Sequence, residues 1–302
     1  MTGPWKETAT ISIAAGKGGT GKTLVATSLA VALNGAGSRG TELLDCDVEA
    51  PNAHLLLCPH IAHRQPVTVR VPQVSKPLCT HCGRCAEVCQ FSAIAVIRDA
   101  VVTFPELCAG CGACAFICPA DAIIEVEREV GVLDKGVTDE GIDFYQGRAH
   151  VGEQRSGPVI RAVKGQIHAD AVTIIDAPPG TACPMQETIA DTDYCILVTE
   201  PTPFGLSDLG AAVETCRQLR VPCGVIVNRD GIGNAPIGEY CAREGLPILL
   251  RIPHERQIAE AYSRGDTLVH AFPEWQAPLR RIHESIWREL LSRKEMTSHA
   301  TW

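Results

Sequence analysis

Six apolar runs, near residues 10–15, 41–45, 172–176, 194–199, 222–227 and 248–252, read as strands buried on both faces. Helical spacing of apolar positions follows near 22–34, 157–168, 184–190, 205–219, 234–244 and 255–263. Strand and helix in alternation predict an α/β fold with a mainly parallel, doubly wound sheet. A last helix is expected between Trp275 and Glu295, where Leu279, Ile282, Ile286 and Leu290 fall on one stripe. Basic residues along it are offset by glutamates, so it should pack on the domain rather than lie on a membrane. The alternation is interrupted by a cysteine-rich stretch, which divides the chain into residues 1–72, an insertion at 73–129, and a continuation at 130–302.

The 302 residues suffice for one large α/β domain and a small module, and 45% hydrophobic with 5% aromatic content suits a core of Val, Ile, Leu and Ala. A net charge of −8 argues against nucleic-acid binding, which needs clustered Lys and Arg. No apolar stretch reaches 18 residues, and the N-terminus lacks the order of a signal peptide, so the expected location is cytoplasmic. A reducing compartment leaves Cys46, Cys58, Cys183, Cys195, Cys216, Cys223 and Cys241 free of any need to pair.

The other eight of the fifteen cysteines form two copies of one pattern, Cys79-x2-Cys82-x2-Cys85-x3-Cys89 and Cys108-x2-Cys111-x2-Cys114-x3-Cys118, offset by 29 residues throughout. This double run points to two [4Fe–4S] clusters, whose iron prefers soft thiolate ligands. Four-cysteine zinc sites come instead as separated pairs. In two-cluster ferredoxins the fourth ligand comes from the other run. The expected sets are therefore Cys79, Cys82, Cys85 and Cys118 for one cluster, and Cys108, Cys111, Cys114 and Cys89 for its neighbour. Ala93-Ile94 recurs as Ala122-Ile123 at the same offset, so the repeat extends to the strands beyond each run. Pro119 comes after the second run where Gln90 comes after the first, a difference in loop stiffness.

The first apolar run leads into GKGGTGKT, residues 16 to 23, and then a helix. Strand, glycine-rich loop and helix in that order make a phosphate site. Gly18, Gly19, Thr20 and Gly21 let backbone N–H groups converge on phosphate oxygens, Lys22 neutralises the β- and γ-phosphates of ATP, and the Thr23 hydroxyl reaches Mg²⁺.

With its second lysine, Lys17, this loop resembles the deviant Walker A of the MinD/ParA/Mrp and nitrogenase-iron-protein group. The chain as a whole resembles MinD-superfamily P-loop ATPases with an inserted ferredoxin domain, in DCDVEAPN (45–52), DAPPGTACP (176–184), TEPTPFGLSDL (199–209) and the cysteine runs. The resemblance implies a homodimer with ATP at its interface, where Lys17 reaches the partner's phosphates. It implies that Asp47 orients the attacking water, that Asp176 holds Mg²⁺ through water, and that the Gly180 amide senses the γ-phosphate. On the base side it implies Asn228, with Arg229, and Pro253 from a second loop. Cys183 stands at the offset from Asp176 of a cluster ligand in the nitrogenase iron protein, but the second ligand of that pair has no clear counterpart, and the thiol reads as unreactive. Cys46 reads as packing. His54, Cys58, His60 and His63 read as a helix end and loop rather than a metal site.

Two chemistries in one chain suggest coupling: a nucleotide-dependent dimer cycle that gates electron transfer through the clusters to a partner protein. A cluster carrier of Mrp type and a MinD-like positioning ATPase are the alternatives.

Overall fold

The structure, a computed structural model, describes residues 8–34 and 40–299. Its strands are β1 (Thr10–Ala14), β2 (Thr41–Asp45), β3 (His60–Val74), β4 (Ile94–Ile97), β5 (Ala100–Thr103), β6 (Ile123–Val137), β7 (Asp143–Ala149), β8 (Val172–Asp176), β9 (Tyr194–Thr199), β10 (Cys223–Asp230) and β11 (Ile248–Pro253). Its helices are α1 (Lys22–Leu33), α2 (His54–Leu57), α3 (Arg84–Val88), α4 (Ala113–Phe116), α5 (Gly157–Lys164), α6 (Cys183–Ile189), α7 (Pro203–Gln218), α8 (Ile237–Glu244), α9 (Arg256–Ser263), α10 (Leu268–Ala271) and α11 (Gln276–His299).

Nine strands make one sheet in the order β11-β10-β9-β1-β8-β2-β7-β6-β3. From β11 to β7 neighbours run parallel, and β6 and β3 continue the sheet antiparallel. Successive residues of the central strands face opposite layers, as burial on both faces requires. Leu43, Ile174 and Ile196 join α1 and α11 on one side; Leu44 and Ile175 meet α5, and Leu197 meets α6 and α7, on the other. Leu279, Ile282, Ile286 and Leu290 of α11 are all buried in the first of these layers.

β3, β5 and β7 have no counterpart among the sequence expectations, and of β6 only the start at Ile123 was expected. β3, β6 and β7 carry few continuous apolar residues, and β3 is largely exposed along its length. β3 and β6 pair along their whole length, from His60 with Val137 to Val74 with Ile123, while β7 is also buried from Phe144 to Gly147. Pro66 and Pro72 are tolerated because β3 is the sheet edge. Buried Asp134 on β6 accepts from Arg64 of β3 at 2.5 and 3.0 Å and from Arg148 of β7 at 2.7 Å. Burial pushes this carboxyl up, but the two guanidiniums outweigh it and hold it below the ordinary range. The helix end expected near His54 is α2, followed by a left-handed turn at Cys58 (φ 45°), but where a loop was expected β3 begins, with His60 and His63 on the strand. Expected boundaries at 73 and 129 fall inside β3 and β6, so residues 75–122 hang from the main sheet on a two-stranded ribbon.

α5 lies close against this extension because β7 has a glycine beneath it. A Cβ on Gly147 would sit 2.7 Å from a Val48 methyl and 2.8 and 2.9 Å from methyls of Val163 and Val159. Gly147→Ala should therefore destabilise the protein by about 1–3 kcal/mol through overpacking, read as a lower urea midpoint at unchanged slope.

Candidate functional site

The loop between β1 and α1 lies at the carboxyl end of the central strands, where open α/β sheets bind ligands. Gly21, the residue before α1, has φ 92°, and no side chain caps the helix. The first-turn N–H groups are thus left for an anion, with no acidic residue in that turn to compete. Gly18 and Gly19 are exposed at the mouth, while Thr20, Lys22 and Thr23 are buried.

Across the loop stand three carboxylates. Thr23 Oγ1 donates to Asp176 Oδ2 at 2.6 Å, and the buried Asp176 Oδ1 has no hydrogen-bond partner. The Asp176 carbonyl accepts from Cys46 N at 2.9 Å, tying the ends of β8 and β2 together. Asp45 accepts from the amides of Asp47, Asn52 and Ala53 at 3.0–3.1 Å. Burial pushes the Asp176 carboxyl up to about 6, against the pull of Lys22 and the Thr23 hydroxyl. Asp45 is raised by burial and by Asp176, and Asp47 is raised by burial and pulled down by Lys22. One lysine among three acids, with an orphaned oxygen beside a hydroxyl, is a donor set for a hard divalent cation such as Mg²⁺.

Asn228 Nδ2 donates to the Thr20 carbonyl at 2.8 Å, and its Oδ1 accepts from Arg229 N at 2.9 Å. A Cβ on Gly21 would fall 2.3 Å from Asn228 Nδ2, so the asparagine braces the loop directly. Asn228, Arg229 and Pro253 line one cavity of about 220 Å³ with Gly19, Gly21 and the apolar Leu24, Ile258 and Tyr262. That slot suits a flat heterocycle beside the phosphate loop.

Two expected contacts are committed elsewhere in this conformation. The Gly180 amide donates to Ala15 O at 3.0 Å, so reaching a phosphate requires the segment after β8 to move. Lys17 Nζ is held by Glu200 Oε1 at 2.5 Å, and Arg229 binds the other Glu200 oxygen at 3.2 Å. Glu200 escaped the sequence reading because nothing in local spacing pairs it with a lysine 183 residues away. Asp45 was visible only as one acid of the DCD segment.

Among the described residues no three His, Cys, Asp or Glu converge as ligands of a single ion would. The eight repeat cysteines instead stand around two cavities: Cys79, Cys82, Cys85 and Cys118 line one, and Cys89, Cys108, Cys111 and Cys114 the other. The backbone repeats at the sequence offset. Left-handed residues recur as His81 and Gly110, Gly83 and Gly112, Ser92 and Asp121. Ser75 N donates to Ala122 O at 2.7 Å and Phe104 N to Ala93 O at 2.8 Å. Ala93 N reaches Cys89 Sγ, and Ala122 N reaches Cys118 Sγ, both at 3.3 Å. Burial, with neighbouring cysteines adding to it, raises the thiols of Cys85 and Cys114. Cys183 is exposed at the start of α6, and Cys46 is buried beside β8.

A folded pKa above the unfolded one means that the native state holds its proton more tightly. Without metal or nucleotide, the stability of wild type minus that of Asp176→Asn should fall as pH rises from about 4 to about 6, then level off. The expected drop is ~3 kcal/mol, measured by urea unfolding across pH; a flat difference would contradict the raised carboxyl.

A family model, the CobQ/CobB/MinD/ParA nucleotide binding domain, matches residues 11–269. The chain is 36% identical over 226 residues to an uncharacterized protein of Methanocaldococcus jannaschii, covering 74% of this chain and 79% of that one. It is 23% identical over 288 residues to a cytosolic Fe-S cluster assembly factor of Rattus norvegicus, covering 87% and 86%. The septum site-determining protein MinD of Pyrococcus horikoshii, complexed with Mg-ADP, superposes with a TM-score of 0.56 at 22% identity over 92% of this chain and 96% of that one, a likeness of fold. No described helix is long and apolar enough to cross a membrane. The family match spans the phosphate loop, the acid-ended strands and the base-side cavity, so the chain belongs to the CobQ/CobB/MinD/ParA nucleotide-binding family and is a P-loop ATPase of the MinD/ParA type.

Proposed function

We propose that this ATPase is a redox protein in which segment 73–129 is an inserted ferredoxin-like module with two [4Fe–4S] clusters, and in which a nucleotide-dependent dimer cycle gates electron transfer to a partner protein. The observation that carries this reading is the division of eight cysteines between two cavities, each lined by three from one run and the fourth from the other. Cys79, Cys82, Cys85 and Cys118 would hold one cluster, and Cys108, Cys111, Cys114 and Cys89 its neighbour. Such clusters supply one-electron storage at potentials tuned by hydrogen bonds to sulfur. The amides of Ala93 and Ala122 offer such bonds to Cys89 and Cys118, and Gly110 N offers one to Cys108.

In the ATPase, Lys22 neutralises the phosphates, Thr23 and Asp176 hold Mg²⁺, and Asp47 orients water. The slot of Asn228, Arg229 and Pro253 takes the base. Lys17 has a second state to reach: it must leave Glu200 to meet a partner's phosphates, and Gly180 must leave Ala15 O to meet its own. Both are two-position elements of the kind that couple ligand binding to shape.

The second reading, a cluster carrier, draws on the likeness to the rat assembly factor. It predicts clusters that leave. Eight ligands per chain, each set closed within the module, favour clusters that stay. Transfer of iron from this protein to an apo-ferredoxin faster than its loss to a chelator would favour the carrier.

Anaerobically purified protein should contain about eight iron and eight acid-labile sulfide per chain. Cys82→Ser and Cys111→Ser should each remove about half; four iron in wild type, or stoichiometric zinc, would overturn the two-cluster reading.

Lys17→Ala should bind ATP yet stay monomeric by light scattering. Glu200→Gln, which loosens the lysine without touching the phosphate loop, should dimerise at lower ATP concentration than wild type. Dimerisation of Lys17→Ala at wild-type nucleotide concentrations would refute a role for this lysine across the interface.

A further inference from the structure

We propose that Arg155 is a positioning residue, the strut through which the segment following Asp176 acts on the second cysteine group. This rests on the coupled redox reading above and gives its coupling a physical route.

Two side-chain contacts place Arg155 against that group. Its Nη2 donates to the carbonyl of Leu107, the residue before Cys108, at 2.7 Å. Its guanidinium carbon lies 4.2 Å from the ring centre of Phe91, two residues beyond Cys89. Cys89 and Cys108 belong to the same cavity, which Phe91 also lines. One cation thus touches both chain segments that enter this cysteine set.

The base of the strut is fixed to the ATPase side. Arg155 N donates to Glu153 Oε1 at 3.3 Å, and Glu153, its side chain 2% exposed, pairs with Arg128 of β6 at 2.7 Å. Ser156, the next residue, accepts from the amides of Val159 and Ile160 and so begins α5. α5 is in turn locked to α6. A Cβ on Gly157 would fall 2.5 Å from Glu187 Oε2, so the two helices touch at the first residue of α5. Arg161 pairs with Glu187, and Lys164 Nζ donates to the carbonyls of Glu187 at 2.8 Å and Ala190 at 2.6 Å. α6 begins at Cys183, only seven residues after Asp176.

Between the two bodies lies a cavity of about 280 Å³, with Cys108 and Ala109 on one side, Cys183 and Pro184 on the other, and Arg155 and Arg161 between. It gives the helix pair room to shift against the cysteine group. The orphaned Arg128 Nε in its wall shows that polar contacts there are incomplete in this conformation. Relief of the carboxylate cluster by metal and nucleotide moves residues 177–182, α6 moves with them, and α5 carries Arg155 along. A displaced cation and a changed Leu107 contact alter the electrostatics at Cys108, and linkage makes the effect reciprocal.

The test uses the anaerobic holoprotein with and without Mg²⁺ and a non-hydrolysable ATP analogue. In wild type, the analogue should change amide exchange over residues 105–112 by about fivefold or more, the low end of typical coupling, and shift the cluster potential. Arg155→Ala should keep its iron and its hydrolysis rate while both responses vanish; Arg155→Lys, which keeps the charge, should restore part of them. If Arg155→Ala loses iron, Phe91→Leu removes only the ring contact and should shrink the response with iron intact. Full responses in Arg155→Ala, or in Phe91→Leu where the alanine variant is not loaded, would overturn the strut and leave the coupled reading standing. No response in wild type would overturn both.

Discussion

Three carboxylates stand at the ends of β2 and β8, and Lys22 pulls down two of them, Asp47 and Asp176. Asp176, Asp45 and Asp47 are all raised by burial, and Asp45 and Asp176 are raised further by carboxylates beside them. Burying like charges is tolerable only with counter-charge or protons, and the orphaned Asp176 Oδ1 marks where compensation is incomplete. A divalent cation beside Thr23 and Asp176 would supply such a counter-charge. Nearby, the Gly180 amide rests on the Ala15 carbonyl and Lys17 on Glu200.

Packed elements join these carboxylates to the rest of the fold. β8 is central and fully buried, and residues 177–182 lead from it directly into α6. α6 is bound to α5, and α5 covers the antiparallel extension from which residues 75–122 hang. Asp134 joins β3, β6 and β7 through two arginines, so the ribbon is stiff where it leaves the sheet. Arg155, just before α5, touches the hanging segment at a second point, through Leu107 and Phe91.

Within the module, pairing of β4 with β5 reproduces the end of the β3 and β6 pairing: Ile94 faces Thr103 as Ile123 faces Val74. The two copies close on each other, and this mutual closure is why the fourth cysteine of each run lies among the first three of the other. The fourth cysteine of each run also accepts from an amide four residues along.

Local chemistry was legible in the sequence: the phosphate loop, the acids ending β2 and β8, the 29-residue repeat and the alternation of buried strands with helices. Each is encoded in contiguous residues, where spacing fixes geometry. β3, β7 and the length of β6 beyond its start were not, because these charged strands acquire their order from partners up to 101 residues away and leave no apolar run to find. Nor were Glu200, which meets Lys17 across 183 residues, and Arg155, which meets Leu107 across 48. Contiguous residues specify which chemical groups the protein carries; which of them are held apart follows from the folded chain, because that depends on contacts between segments whose spacing along the chain says nothing of their distance in space.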